Sequence, residues 1–342
     1  MAEEWGTWDP AAGRAWWYAA EAAQELDDME GLARCLALVP PTDPNALFAQ
    51  VEKANLEWTT LNKALVALET SEQVLAKDPR VVEVQSRVIS FYAMTLQRAP
   101  MLRAIRAAID AGAEPKESYP YLMMADVLTF SNAGKLNSVW MKGAPNELRL
   151  KIAFAVHTAM SYALSADAGS SEEAIEMNAE AMRQLGIFLE GAPHDPVLLT
   201  YLMLRAYQAG DVERVGRLLQ NVDDSTADDH MIWVFRSWYH FAVDEFDAAE
   251  EAIKEALKLH PLSHMAHHEY AKILRKLRRP ETEVALHQKL ATEGKELRMT
   301  LLQRSSVLDA PADLLKQIAT YASECGDEQV AAALTRRLEP FP

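Results

Sequence analysis

Four histidines, His260, His264, His267 and His268, fall within nine residues of a 342-residue chain. Neutral imidazole is a common metal ligand, and two of them four residues apart share one helix face. His264 and His268 have that spacing. A closed zinc site needs four ligands, however. The neighbouring carboxylate, Glu269, is turned by about 100° from His268 on a helix. The four histidines are therefore expected to point in different directions, with His267 packed, His264 exposed and no metal bound. Asp223, Asp224, Asp228 and Asp229 have the composition of a divalent-metal cluster, but they precede a helix starting near His230. Carboxylates at such a place cap unpaired backbone amides. There is no Gly-rich phosphate loop, no Gly-x-Ser-x-Gly elbow and no His-Glu-x-x-His pair. Cys35 and Cys325 are the only cysteines, which leaves no disulfide framework or paired thiolate motif and suggests two reduced packing thiols. No catalytic residue and no cofactor is expected.

The totals narrow the class further. Apolar residues make up 49% and charged residues 25%, the composition of a chain that buries a large core. No apolar run approaches the ~20 residues of a membrane span, and MAEEWGTWDP lacks a basic-then-apolar leader, so no membrane association and a cytoplasmic location are expected. A net charge of −16 argues against binding nucleic acid through its phosphates. The charge is segregated. Residues 264–304 hold nine Lys and Arg against five Glu, whereas residues 211–256 hold twelve Asp and Glu against four basic residues.

The elements that would position these charges are helices. From His230 to Pro261 the chain reads as two helices around a turn at Val243-Asp244-Glu245. Trp233 and Ser237 pair a large residue with a small one on the first helix. Phe246, Ala249, Ile253, Ala256 and Leu257 form a buried stripe on the second. A spacing of 34 then relates Leu199, Trp233 and His267, and likewise Met203, Ser237 and Ala271; Gly210 with Asp244, Val215 with Ala249 and Leu219 with Ile253 follow it too. This series resembles the tetratricopeptide (TPR) repeat, with Arg236 and His240 in places where the family prefers apolar residues and Asp244 where it prefers Gly. No stretch alternates with period two. The expected fold is all-α, and the resemblance implies a right-handed superhelical solenoid of about nine antiparallel helix pairs. Degenerate pairs are expected over residues 1–130, an irregular joint or kink over 131–145, where turn clusters crowd together, and regular repeats with capping helices over 146–342. Trp5, Trp8, Trp16 and Trp17 are expected to form an apolar cap at the N-terminal end, with Asp9-Pro10 starting a helix to about residue 26.

The resemblance also implies a groove lined by the first helix of each pair and able to hold an extended peptide. In this register the groove residues are Leu204 and Tyr207, then Val234, Trp238 and Phe241, then His268, Lys272, Arg275 and Lys276. An aromatic floor thus passes into a cationic one. The Asn residues with which some family members clasp a C-terminal carboxylate are missing. The expected ligand is a protein or peptide with an apolar anchor and an acidic segment, and the expected function is a non-catalytic adaptor. Two other classes stand beside it: an accessory subunit whose catalytic partner is a separate chain, and a helical enzyme that binds a small molecule or metal. An open groove distinguishes the first from the last, which needs a closed polar pocket.

Overall fold

The computed structural model describes residues 1–9, 11–167, 172–304 and 310–339. The expected features at Pro10, at Gly169-Ser170-Ser171 and at Pro340-Phe341-Pro342 lie outside these. Among the described residues all regular structure is helical. In chain order the helices are α1 (Ala2–Trp8), α2 (Gly13–Glu25), α3 (Met29–Ala37), α4 (Ala46–Thr59), α5 (Ala64–Lys77), α6 (Val82–Met94) and α7 (Arg98–Asp110). Next come α8 (Ser118–Met124), α9 (Ala133–Gly143), α10 (Leu148–Asp167), α11 (Glu172–Gly191), α12 (Pro196–Ala209) and α13 (Val212–Leu219). The last are α14 (His230–Ala242), α15 (Phe246–Leu259), α16 (His264–Lys276), α17 (Glu281–Leu302), α18 (Ala312–Glu324) and α19 (Glu328–Leu338). None of them is long and apolar enough to cross a membrane.

One backbone device recurs at the turns within the pairs. Asp27, Asn62, Leu96, Gly210, Asp244, Arg278 and Gly326 all have positive φ, and they close the pairs α2/α3, α4/α5, α6/α7, α12/α13, α14/α15, α16/α17 and α18/α19. After six of the seven, the next amide donates five residues back: Asp28 to Ala23, Gln97 to Tyr92, Asp211 to Ala206, Glu245 to His240, Arg279 to Leu274 and Asp327 to Ala322. A left-handed residue followed by this bond is the Schellman ending of a helix. Gly210, Asp244 and Arg278 are 34 residues apart, so the turn repeats in the register of the sequence pattern even where the residue is not Gly. The fold is an all-α array of tetratricopeptide-like helix pairs.

The chain divides into two compact units, the first comprising Met1–Phe91, Ala104–Pro115 and Lys135–Lys151, the second Tyr92–Arg103, Lys116–Gly134 and Ile152–Pro342. In the first, Trp16, Ala19, Ala20, Cys35, Leu36, Val39, Ala46 and Ala49 form one buried cluster. Gly6 lets α1 lie on the Trp16 ring, because a Cβ there would come within 2.6 Å of it. Trp58 donates to Ser71 Oγ at 3.0 Å and packs on Phe91 and Trp140, with ring centroids 5.5 and 6.2 Å away. Two expectations change here. Only Trp16 of the four N-terminal tryptophans is buried; Trp17 is half-buried against Phe48, while Trp5 and Trp8 are 46% and 90% exposed. Helix α2 also starts at Gly13, three residues after Pro10. Within the stretch read as irregular, Ala133–Gly143 is a helix.

The second unit holds the regular repeats. Asp195, Asp229 and Ser263 cap α12, α14 and α16 with their side-chain oxygens, and they too are 34 residues apart. Each satisfies an amide that the helix itself leaves unpaired. Ser237 Oγ donates to the Ala249 carbonyl at 2.8 Å, and both residues are fully buried. At this contact α14 and α15 approach as closely as a serine and an alanine allow. Replacing Ala249 with Trp should overpack it and cost on the order of 1–3 kcal/mol, whereas Asp244→Gly should stabilise by up to about 1 kcal/mol by relieving the left-handed turn. Urea unfolding midpoints check both. An unchanged midpoint for Ala249→Trp contradicts the pairing.

Candidate functional site

The capping register has a consequence in the second unit. The residues that follow the caps Asp229 and Ser263 are His230 and His264, again 34 apart, and both turn toward Asp126. This carboxylate lies two residues beyond α8, in a segment without a recognisable repeat pattern. Its position is set by Arg98, whose Nε donates to the Ala125 carbonyl and whose Nη2 donates to that of Asp126 at 3.4 Å. Arg98 is itself anchored, Nη1 donating to Asp229 Oδ2 at 2.7 Å. Asp126 Oδ1 accepts from His230 Nε2 at 2.9 Å, and Oδ2 accepts from the Met265 amide at 3.0 Å. His264 Nε2 stands 3.5 Å from Oδ2. The ring of His260 packs on that of His230 with centroids 4.7 Å apart, and the ligand atoms offered by Asp126, His230 and His260 all lie within 4.8 Å of one another.

Side chains of Asp126 and His230 are 2% and 0% exposed. Burial pushes the Asp126 carboxyl upward, but the imidazoles of His264, His230 and His260 outweigh it and hold the carboxyl well below the usual carboxylate range. Burial pushes the His264 imidazole down against the pull of Asp126. The cluster is a buried carboxylate ringed by imidazoles. His264 is therefore not the exposed residue expected from its helix face, because its ring turns to a carboxylate that the local sequence does not contain. The aspartate run divides as expected in part: Asp229 caps α14, while Asp228 pairs with Arg103 and Asp223 binds the Ser225 amide in its own turn.

His267 is packed, as its register position implies, with 3% exposure. Its Nε2 is 2.9 Å from the Pro261 carbonyl and its Nδ1 is 2.8 Å from His287 Nδ1. A carbonyl can only accept, so Nε2 carries the proton and Nδ1 accepts from His287 Nδ1–H. Protonating His267 would require His287 to give up its Nδ1 proton and take the other tautomer. Burial first, and His287 second, push its imidazole down to about 4. His268, one residue on, is exposed. The two cysteines are free thiols, and burial pushes both upward, Cys325 to about 12, which keeps them protonated and unreactive.

The groove residues expected from sequence are placed in three ways. Tyr207, His268, Lys272 and Arg275 line an open groove of about 1290 Å³, whose other wall is α17, with Gln288, Lys295 and Met299 among its residues. Trp238, Phe241 and Lys276 form a strip beside it. Tyr207 meets Trp238 edge-on at 5.3 Å, Lys272 Nζ lies over Phe241 at 5.3 Å and Lys276 Nζ over Phe246 at 4.8 Å. Leu204 lines a separate cavity of about 30 Å³ with Arg98, Asp126 and Phe235. Val234 is fully buried and drops out of the set, since a side chain in the helix core touches no ligand. Buried Glu269 organises the groove floor: it accepts from Tyr207 Oη at 2.8 Å and from Lys272 Nζ at 2.7 Å. Burial and then Glu269 push the Tyr207 phenol upward. His264 lines this groove as well as facing Asp126, so the buried cluster opens toward it.

No family model matches the chain, and no curated protein matches it. Among solved structures, it is similar to a tetratricopeptide repeat protein from Parabacteroides merdae, at 11% identity and a TM-score of 0.33, over 77% of this chain and 98% of the other. It is similar to a chain of the Cut9–Hcn1 hetero-tetramer of APC/C at 16% identity and a TM-score of 0.34, over 80% and 59% of the two chains. It is also similar to yeast Tom70 at 12% identity and a TM-score of 0.32, over 95% and 84%. These scores lie below 0.5, and the repeated turn, rather than these likenesses, defines the fold.

The His267 pair carries a pH dependence. Its pKa is depressed in the folded state, so the stability it contributes is present above the ordinary value of 6.5 and is lost as pH falls toward about 4. The loss amounts to at most about 3 kcal/mol. His267→Gln should flatten the decline in urea-unfolding free energy between roughly pH 7 and pH 5 relative to wild type. Parallel declines in the two proteins contradict the assignment.

Proposed function

We propose that this chain is a non-catalytic protein-interaction scaffold whose groove between α16 and α17 takes an extended segment of a partner protein. The segment is apolar at one end and acidic at the other. One observation carries this reading: Lys272, Arg275 and Lys295 line a single groove with Glu296 in a chain of net charge −16. Cations concentrated against an acidic background select and orient an anionic segment. The adjoining Tyr207 and Trp238 rings offer buried aromatic contact at low entropic cost. An open groove of this size suits a peptide better than a small substrate, for which a closed pocket with converging polar groups is the usual form.

The three cations are not equivalent. Lys272 is engaged by Glu269, so reversing it would leave a buried carboxylate facing a like charge, and folding would suffer. Arg275 and Lys295 are exposed and can be reversed within about 0.5 kcal/mol of stability. Fluorescence anisotropy with a labelled peptide of aromatic and aliphatic residues followed by glutamates tests the reading, with its glutamine counterpart as control. The glutamate peptide should bind, and should weaken as salt rises. Arg275→Glu with Lys295→Glu should reduce its affinity at least about tenfold, equivalent to ~1.4 kcal/mol. Trp238→Ala should also weaken it, with less change in salt dependence. Equal binding of the two peptides, or no effect of the double reversal, places the binding surface elsewhere.

A further inference from the structure

We infer that Asp126, His230 and His260, completed by His264, form a binding site for one divalent transition ion of the zinc class, independent of peptide binding in the groove. Three observations carry it. The donor set is one carboxylate and three imidazoles, the nitrogen and oxygen ligands that suit such an ion, and the ligand atoms of the first three residues already lie within 4.8 Å of one another. His230, with a side chain 0% exposed, has an Nδ1 atom without a hydrogen-bond partner. When Nε2 turns from hydrogen-bond donor to metal ligand, its proton can move to Nδ1, where no existing hydrogen bond has to break. Finally, His264 both faces Asp126 at 3.5 Å and lines the open groove, which gives an ion a path from the groove to the buried cluster.

The surroundings are those of a structural site. Asp126 Oδ2 accepts from the Met265 amide, the kind of outer contact that orients a ligating carboxylate. The ligands come from the segment after α8, from α14, from the end of α15 and from α16, so an ion would clasp two repeats to the irregular segment beside them. Arg98 is charge-compensated by Asp229. The neighbouring cation that opposes an ion is Arg298, half-buried and close enough to feel the charge of Asp126, with Nη2 donating to the Val127 carbonyl at 3.1 Å.

The full chain, stripped of metal with a chelator and dialysed, is titrated with Zn²⁺ by calorimetry and with Co²⁺ by visible spectroscopy. One ion per chain, an intense tetrahedral Co²⁺ band and a raised Tm are expected. His260→Gln and His264→Gln should each weaken binding roughly 10–100-fold or more, since even the loss of an outer-shell contact costs that much. Arg298→Gln should tighten it. His268→Ala, on the groove but outside the cluster, should leave it unchanged. A wild-type chain that gives no saturable one-to-one binding, or only the weak band of octahedral Co²⁺, overturns the inference whatever the variants do. Loss of binding in His268→Ala overturns it equally, by assigning the ion to the i, i+4 pair His264 and His268.

Discussion

A single left-handed residue between the two helices of a pair is the constraint on which the repeats depend. It ends the first helix with an amide donating five residues back, and it reverses the chain within a few residues. An L-residue in that conformation is disfavoured by about 1–2 kcal/mol relative to the right-handed form. The chain nonetheless accepts Asp244 and Arg278 there, because the buried contact between the paired helices over-determines the turn. Once the turn recurs every 34 residues, everything that hangs on it recurs as well. The caps Asp195, Asp229 and Ser263 share the interval, and so do the first residues of the helices they start. His230 and His264 approach one carboxylate because they occupy the same place in consecutive repeats.

Asp126 shows what that convergence costs and what offsets it. A carboxylate taken out of water loses several kcal/mol of solvation even after relaxation. It is tolerated where donors surround it, and here the His230 ring and the Met265 amide supply them. Arg98 contributes at one remove, fixing the carbonyls of Ala125 and Asp126 and thereby the direction of the side chain. Replacing this cluster with apolar residues of similar size would be simpler energetically. A fully buried acid among imidazoles therefore marks a place where the fold gives up stability for a specific arrangement of polar groups. The groove floor follows the same logic on a smaller scale, with buried Glu269 holding Tyr207 and Lys272 together.

The helix pairing was legible in the sequence because it rests on side-chain size. Trp233, Ser237 and Ala249 are large and small residues at the spacing that a close helix–helix contact requires, and the buried Ser237–Ala249 contact lies where that spacing implies. Half of the groove was legible for the same reason: Tyr207, His268, Lys272 and Arg275 follow the register onto its wall. The opposite wall was not. Lys295 and Met299 belong to α17, a 22-residue second helix, whereas the repeat pattern assigns grooves to first helices only. Val234 was misassigned because its side chain is fully buried in the core. The Asp126 cluster had half a signal. His230 and His264 stand one repeat apart, but Asp126 lies in a segment with no register to follow, and only folding brings it to them.

The convergence of the two repeats on Asp126 can be tested directly by NMR on protein labelled with ¹⁵N at histidine, comparing imidazole spectra of the wild type and Asp126→Asn. His230 in the wild type should show the Nε2–H tautomer. The substitution should shift the ring nitrogens of both His230 and His264, while those of His268, one turn away on the same helix, stay in place. Unmoved His230 and His264 resonances in a folded Asp126→Asn protein, or a shift shared equally by His268, would mean that the carboxylate does not join the repeats as described.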